Sequence, residues 1–515
     1  MQWSGLIGGP LLALLVAMLL PDSYAGVTGK DVAFSAAGKA TLAMMVWMAI
    51  WWLTEAVDIE VTALLPLAAF PLLGVATIKA TAAPFAEDTI FLFMGGFLLA
   101  LSMQRWGLDR RIALITLRMV GTKPANMVAG FMLATAVLSA FVSNTATAAM
   151  MLPIAMSVVV LVGKRQGDDL PTVTADGKET EQARDQHHLS LSLLLGIAYA
   201  ASLGGIATVI GTPPNVILVG FLRDKIDPAH RLDVSFGQWL LIGVPLVAVF
   251  LPLVWLVLTR FLFPVRMKQV EGGHELIERE LRALGPANRG EWITFIVFVT
   301  AALLWITRPW LTGLGWGEGA DRVLPLKGLS DAGIAMLAAI VLFITPVRPG
   351  RGEFTMNWAT AAKLPWGILI LFGGGLSLAA AVQANGVAEY IGSQARIFEG
   401  APVLVVVLVV TTMVIFLTEL TSNTATTAAL LPVMAALAPG FGVHPYLLIF
   451  PTCIAASCAF MLPVATPPNA MVFATGHVTI PQMCKAGIWL NIIGIVLIVV
   501  LTMTLIGPAL GVKLY

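Results

Sequence analysis

Ser143-Asn144-Thr145-Ala146-Thr147 lies inside one apolar run, and Ser422-Asn423-Thr424-Ala425-Thr426 lies inside another, 279 residues later. Over the twelve positions from each serine eight are identical, and both copies run into Leu-Pro, at Leu152-Pro153 and Leu431-Pro432. The oxygens of Ser, Thr and Asn cap helix N-termini and can ligate a hard cation. In hydrocarbon they cost free energy unless they find partners or line a wet cavity. A second matched pair carries prolines: Gly211-Thr212-Pro213-Pro214-Asn215 and Ala465-Thr466-Pro467-Pro468-Asn469, 254 residues apart. A Pro-Pro pair breaks a helix, because each ring removes a donor and clashes with the preceding turn. The break frees carbonyls, which suit Na⁺, and N–H groups at the next helix start, which suit anions. Four discontinuities in two matched pairs read as one binding site made from two like halves.

The residues that are missing narrow the chemistry. Stretches 131–162, 192–222, 403–437 and 446–475 contain no Lys, Arg, His or Asp, and Glu419 is their only acidic residue. All six histidines (His187, His188, His230, His274, His444, His477) fall in expected loops or at span ends. Ser143 as a nucleophile has no neighbouring base, so the chain does not read as an enzyme and implies no cofactor. Cys453, Cys458 and Cys484 have no metal spacing and read as small apolar packing groups. Helix termini contribute about 0.3–2 kcal/mol each to an anion, too little for two carboxylates unless the cavity stays wet or cations bind alongside. Glu419 reads as a carboxylate accepting bonds near a tip, with a proton site as the alternative; Ala140 stands at its counterpart. Glu55, Asp58 and Glu60 read as a solvated turn.

The elements that must hold these residues are membrane spans. Apolar residues make up 58% of the 515 positions and charged residues 11%, and several apolar runs reach the length that crosses a bilayer. No basic tract argues for nucleic acid. Gly5 to Leu20 lacks a basic leader and reads as a first span. Spans are expected near 5–21, 40–57, 61–77, 88–104, 192–222, 239–263, 291–309, 331–347, 363–383, 446–475 and 486–510. Two further stretches, 128–162 and 401–438, are too long for one span and lack a charged break for two. Each reads as a re-entrant helical hairpin with its polar tip at membrane depth.

Eleven spans place the N-terminus inside and the C-terminus outside, with 19 of the 30 Lys and Arg residues inside. Arg105, Arg110, Arg111, Arg118 and Lys123 precede the first hairpin, and Lys164, Arg165, Lys178 and Arg184 follow it. Leu92 to Ala100 matches Leu371 to Ala379 at the same 279-residue offset, and the glycine pairs in both suit close helix packing. Five spans per unit make the repeats inverted in the membrane. The expected layout is an N-terminal span and loop (1–38), repeat 1 (39–265, with the hairpin 128–162), a cytoplasmic linker (266–290) and repeat 2 (291–511, with the hairpin 401–438).

The paired Ser-Asn-Thr and Thr-Pro-Pro-Asn segments resemble the divalent anion/sodium symporter (DASS) family of di- and tricarboxylate transporters, from about 40 to 510. The resemblance implies an all-α polytopic protein of the inner (cytoplasmic) membrane, with about eleven transmembrane helices and two re-entrant hairpins in inverted repeats. It also implies a homodimer whose transport domain moves elevator-fashion past a scaffold. A first sodium site would use Ser139, Ser143, Asn144 and the backbone of Gly211. A second would use Thr418, Ser422, Asn423 and the backbone of Ala465. Substrate carboxylates would meet Ser143, Asn144, Thr145 and Thr212 from one half, and Ser422, Asn423, Thr424, Thr466 and Pro467 from the other. Two like halves suit a ligand with two like ends, such as succinate, malate or fumarate. The expected activity is Na⁺-coupled symport of such C4-dicarboxylates or related di- and tricarboxylates. The alternatives are an exchanger, a proton-coupled carrier using Glu419, a carrier of sulfate or another divalent anion, and a passive anion channel.

Overall fold

The computed structural model describes residues 2–26, 31–121, 123–165, 181–267, 269, 272–315 and 324–514. Lys178 and Lys268 of the charge map, and the side chains of Lys164 and Arg165, lie outside them. Apart from two small antiparallel hairpins, β1 (Ser23–Ala25) with β2 (Asp31–Ala33) and β3 (Pro346–Arg348) with β4 (Glu353–Phe354), the described chain is helical.

The first part runs α1 (Gln2–Leu19), α2 (Ala36–Thr54), α3 (Ile59–Leu72), the short α4 (Ile78–Ala82), α5 (Asp88–Trp106) and α6 (Leu108–Val120). The first Ser-Asn-Thr segment then joins α7 (Pro124–Ser139) to α8 (Asn144–Arg165), and the first Pro-Pro segment joins α9 (Glu181–Ile206) to α10 (Pro213–Asp224). After α11 (Phe236–Leu256) and the surface helix α12 (Gly273–Ala283) come α13 (Arg289–Leu311), α14 (Asp331–Ile344), the short α15 (Trp358–Ala361), α16 (Trp366–Ala384) and α17 (Val387–Ala395). The second Ser-Asn-Thr segment joins α18 (Val403–Thr418) to α19 (Asn423–Phe441), and the second Pro-Pro segment joins α20 (Tyr446–Ala456) to α21 (Pro467–Phe473). Helices α22 (Ile480–Thr504) and α23 (Ile506–Leu510) close the chain. The series α5 to α11 and α16 to α22 therefore repeat one order of elements.

Among the described residues nine helices are long and apolar enough to cross a membrane. Two of them, Asn144–Val162 and Asn423–Phe441, are second arms of the expected hairpins. The spans expected first, third, eighth and tenth are shorter helices; the tenth stops after Ala456 because its chain unwinds before the prolines. Where the sequence suggested plain loops, α6 and α17 are amphipathic helices leading into each hairpin. In α6 the buried Leu108, Ala113, Leu114 and Leu117 face inward.

Packing explains the glycine-rich match. A methyl on Gly95 would stand 2.6 Å from Ala335 Cβ, so α5 touches α14 closely; a methyl on Gly374 would stand 2.3 Å from Ala63 O, so α16 touches α3. Each half thus lodges a glycine helix against the other half. Helix α9 is buried on nearly every face, including Leu193, Leu194 and Tyr199. By contrast α1 and α11 leave Leu11, Leu14, Leu241 and Val249 exposed, a surface suited to lipid. The chain is a multi-pass membrane protein. Charged groups pair off at its ends: Arg110 with Glu280 at 2.7 Å and Arg118 with Glu278 at 3.0 Å, and Lys225 with Glu87 at 2.7 Å. The first two pairs join residues that the positive-inside count puts on one side.

Candidate functional site

At the first tip, α7 ends at Ser139 and the chain turns so that Ser143 precedes α8, its Oγ accepting from Ala146 N at 3.3 Å. At the second, Ser422 caps α19 by accepting from Ala425 N at 3.5 Å. The Pro-Pro breaks start helices as well. Thr212 and Thr466 share extended backbone angles (φ −145°, with ψ 144° and 150°), and Thr466 Oγ1 accepts from Asn469 N at 3.3 Å. Proline suits the first helical turn, since its missing N–H has no partner there and its φ is preset. Four helix starts, each led by a Ser or Thr, converge on one place.

That place is a cavity of about 470 Å³. Ser143, Asn144, Thr145, Gly211 and Thr212 line it from one half; Ser422, Asn423, Thr424, Ala465, Thr466 and Pro467 line it from the other. All nine residues expected at the substrate therefore meet on one wall system, with Phe93 and Phe97 of α5 as apolar surface. Among the described residues no Lys, Arg or His lines it. The helix starts instead bring N–H groups and partial positive charge, a chemistry suited to an anion.

Ser139 and Thr418 do not line the cavity; they sit behind it, both fully buried. Ser139 Oγ lies 2.7 Å from Asn144 Oδ1 and 2.6 Å from Ala201 O. Thr418 Oγ1 repeats the pattern, 2.7 Å from Asn423 Oδ1 and 2.8 Å from Ala456 O. One hydroxyl proton cannot serve two acceptors at once, so each cluster holds more oxygen lone pairs than hydrogens. Such an oxygen-rich notch fits a small hard cation, and no cluster of His, Cys, Asp or Glu among the described residues offers a transition-metal site. Room is kept by glycine: a methyl on Gly205 would stand 2.7 Å from Asn144 Oδ1 and 3.1 Å from Gly211 O.

Two residues outside the expected set hold the broken helices open. Asn215 Nδ2 donates to Gly205 O at 3.0 Å and Thr208 O at 2.8 Å. Asn469 Nδ2 donates to Ala459 O and Leu462 O, both at 3.1 Å. The terminal Asn of each Thr-Pro-Pro-Asn segment thus ties upstream carbonyls, Gly205 in the last turn of α9 and the others in the unwound stretches, to the start of the next helix. Its place in both copies was the available signal. Glu419, 3% exposed, accepts from the N–H groups of Phe460 (2.8 Å), Met461 (2.9 Å) and Leu462 (3.2 Å) and from Asn491 Nδ2 (2.8 Å). It pins the second unwound stretch, which fits the expected bond-accepting carboxylate. The cysteines are free thiols, Cys453 and Cys458 buried. The acidic turn after α2 is solvated as expected, with Glu55 and Asp58 exposed, and Glu55 in addition lines the cavity.

The family description "sodium:sulfate symporter transmembrane region" matches residues 10–511. A sodium-dependent dicarboxylate transporter, SdcS, of Staphylococcus saprophyticus is 41% identical over 514 residues, covering 99% of this chain and 92% of that protein. Its Staphylococcus aureus counterpart is 38% identical, covering 100% and 93%. Two solved structures share the fold at 14% identity each. They are the YdaH transporter of Alcanivorax borkumensis (TM-score 0.59, covering 98% of this chain and 97% of that one) and MtrF of Neisseria gonorrhoeae (TM-score 0.54, covering 96% of each). With the match spanning almost every element that builds the cavity, the chain belongs to the sodium:sulfate symporter transmembrane family, the divalent anion/sodium symporter group that its paired motifs resemble.

Proposed function

We propose that this protein is a secondary active transporter of the cytoplasmic membrane that carries a C4-dicarboxylate together with Na⁺. The observation that carries the reading is the cavity itself: four helix starts face it, and an oxygen-rich notch stands behind each Ser-Asn-Thr tip. The relatives named as sodium-dependent dicarboxylate transporters support the same substrate and ion. Each tip binds one carboxylate end of the anion at its front and one Na⁺ at its back. Ser143, Asn144, Thr145 and Thr212 meet one end, and Ser422, Asn423, Thr424, Thr466 and Pro467 meet the other. Ser139, Ser143, Asn144 and the Gly211 backbone hold the first Na⁺; Thr418, Ser422, Asn423 and the Ala465 backbone hold the second. Ser143, Asn144, Ser422 and Asn423 belong to both sets, so cation and anion share ligands, which couples them.

Glu419 supports this reading over proton coupling. Four donors fix its carboxylate, and it borders the unwound stretch rather than the cavity. The layout of eleven spans, two re-entrant hairpins and inverted repeats belongs to the same proposal. So do the homodimer and elevator-like movement of the tips past the α2–α3 and α13–α14 walls. The test is uptake of labelled succinate by the purified protein in liposomes. Uptake is expected under an inward Na⁺ gradient, is lost when choline replaces Na⁺, and falls at least about tenfold in both Asn144→Ala and Asn423→Ala. Full uptake in choline would end the Na⁺-coupled reading, and full activity in either variant would end the two-half site.

A further inference from the structure

Among the described residues Glu55 is the one ionisable side chain lining the cavity. It belongs to neither tip, since it caps the C-terminal end of α2 with backbone angles φ 46° and ψ 44°. Eleven glycines adopt positive φ among the described residues, and Glu55 is the single non-glycine that does. A left-handed helix cap is ordinarily glycine, because a Cβ there crowds the following carbonyl. The turn itself needs no carboxylate: its closing bonds come from the backbone, including Ala56 N to Trp51 O at 3.2 Å. A glutamate thus stands where local structure favours glycine, at the one such cap that borders the cavity. Strain kept at a site points to use of the side chain there.

The charge of Glu55 has a definite direction. The C-terminal end of α2 already presents partial negative charge, and the carboxylate adds a full unit to it. The same cavity is lined by the positive helix starts at Ser143, Ser422, Thr212 and Thr466. An anion with two carboxylates can place both on these starts, one at each tip. A third carboxylate has no further tip to meet and shares the cavity with the Glu55 charge.

We propose that Glu55 is a specificity-determining residue that repels the third carboxylate and so selects dicarboxylate dianions over tricarboxylate trianions. The proposal rests on the dicarboxylate reading above. It is tested on full-length protein in liposomes at a mildly alkaline pH, where citrate is a trianion, by measuring citrate inhibition of labelled succinate uptake. The quantity read is the inhibition constant of citrate divided by the KM of succinate. In Glu55→Gln, close in shape and without charge, the ratio is expected to drop several-fold, up to about tenfold, the size of a unit-charge repulsion across a wet cavity. Glu55→Asp keeps the charge and is expected to keep the parental ratio. Glu55→Gly removes charge and strain together; a lowered ratio with a melting temperature no lower than the parent's excludes misfolding as the cause. An unchanged ratio in both Glu55→Gln and Glu55→Gly would overturn the proposal while leaving succinate transport intact. Absence of Na⁺-driven succinate uptake in the parent would overturn both.

Discussion

At the scale of single residues, the site depends on oxygen atoms that outnumber their hydrogens. Ser139 and Thr418 each contact two acceptors with one proton, a surplus that a cation would complete in the proposed mechanism. Gly205 keeps the first notch open, since its absent Cβ would lie 2.7 Å from Asn144 Oδ1, well inside van der Waals contact. Its counterpart in the other half is Ala459, judged by the matching Asn clamps. Gly205→Ala is therefore expected to raise the Na⁺ concentration for half-maximal uptake by about tenfold or more. Na⁺ titration of uptake measures this, with a thermal melt in Na⁺-free buffer close to the parent's. An unchanged Na⁺ titration would remove Asn144 Oδ1 from the cation site. The site residues were legible because they come in duplicate, whereas Asn215 and Asn469 read only as part of a helix-breaking segment. Their role needs the partner carbonyls, 7 and 10 residues upstream in each half, and only the fold brings those into reach.

At the scale of elements, amphipathic α6 ties the first hairpin to the segment that precedes α13. Arg111 makes a close ion pair with Glu291, its Nη2 3.2 Å from Oε1, and its Nη1 donates to Gly285 O at 3.0 Å. The Glu291 carboxylate beside it holds the Arg111 guanidinium above its ordinary pKa, against the opposing effect of burial. Glu291 is 4% exposed and also caps α13, accepting from Asn288. Removing one partner of such a pair leaves a buried charge alone, which costs about 3–5 kcal/mol. Arg111→Ala should lower the melting temperature in detergent markedly, and Glu291→Gln on that background should recover part of the loss. Equal melting of parent and Arg111→Ala would show that the pair does not anchor the hairpin. In the chain alone Arg110, Arg111 and Arg118 read as loop charges, because their density hides the short apolar face at Leu108, Ala113, Leu114 and Leu117.

At the scale of the whole molecule, two cation notches and one dianion sum to no net charge. Uptake by the proposed mechanism should then respond little to a potassium diffusion potential. One unbalanced charge would change the driving force by about 2.3 kcal/mol per 100 mV, close to a fiftyfold effect on accumulation. Uptake in liposomes with and without valinomycin resolves so large a difference. Strong stimulation by an inside-negative potential would require a cation beyond the two notches.

The sequence alone determined the class of molecule and the identity of the tips. Apolar length demands a bilayer, polar residues within it demand partners, and prolines demand breaks, all within a few neighbouring residues. Duplication made those local demands specific. What only the tertiary structure decided is how distant segments meet: α5 on α14, α16 on α3, the Asn clamps on their carbonyls and Glu419 on the stretch from Phe460 to Leu462. The change of meaning at Glu55 has the same cause. Its charge and turn were visible in the chain, but a carboxylate is solvated or faces a substrate according to what packs opposite it. The tips that share the cavity with Glu55 come from residues more than eighty positions away in the sequence.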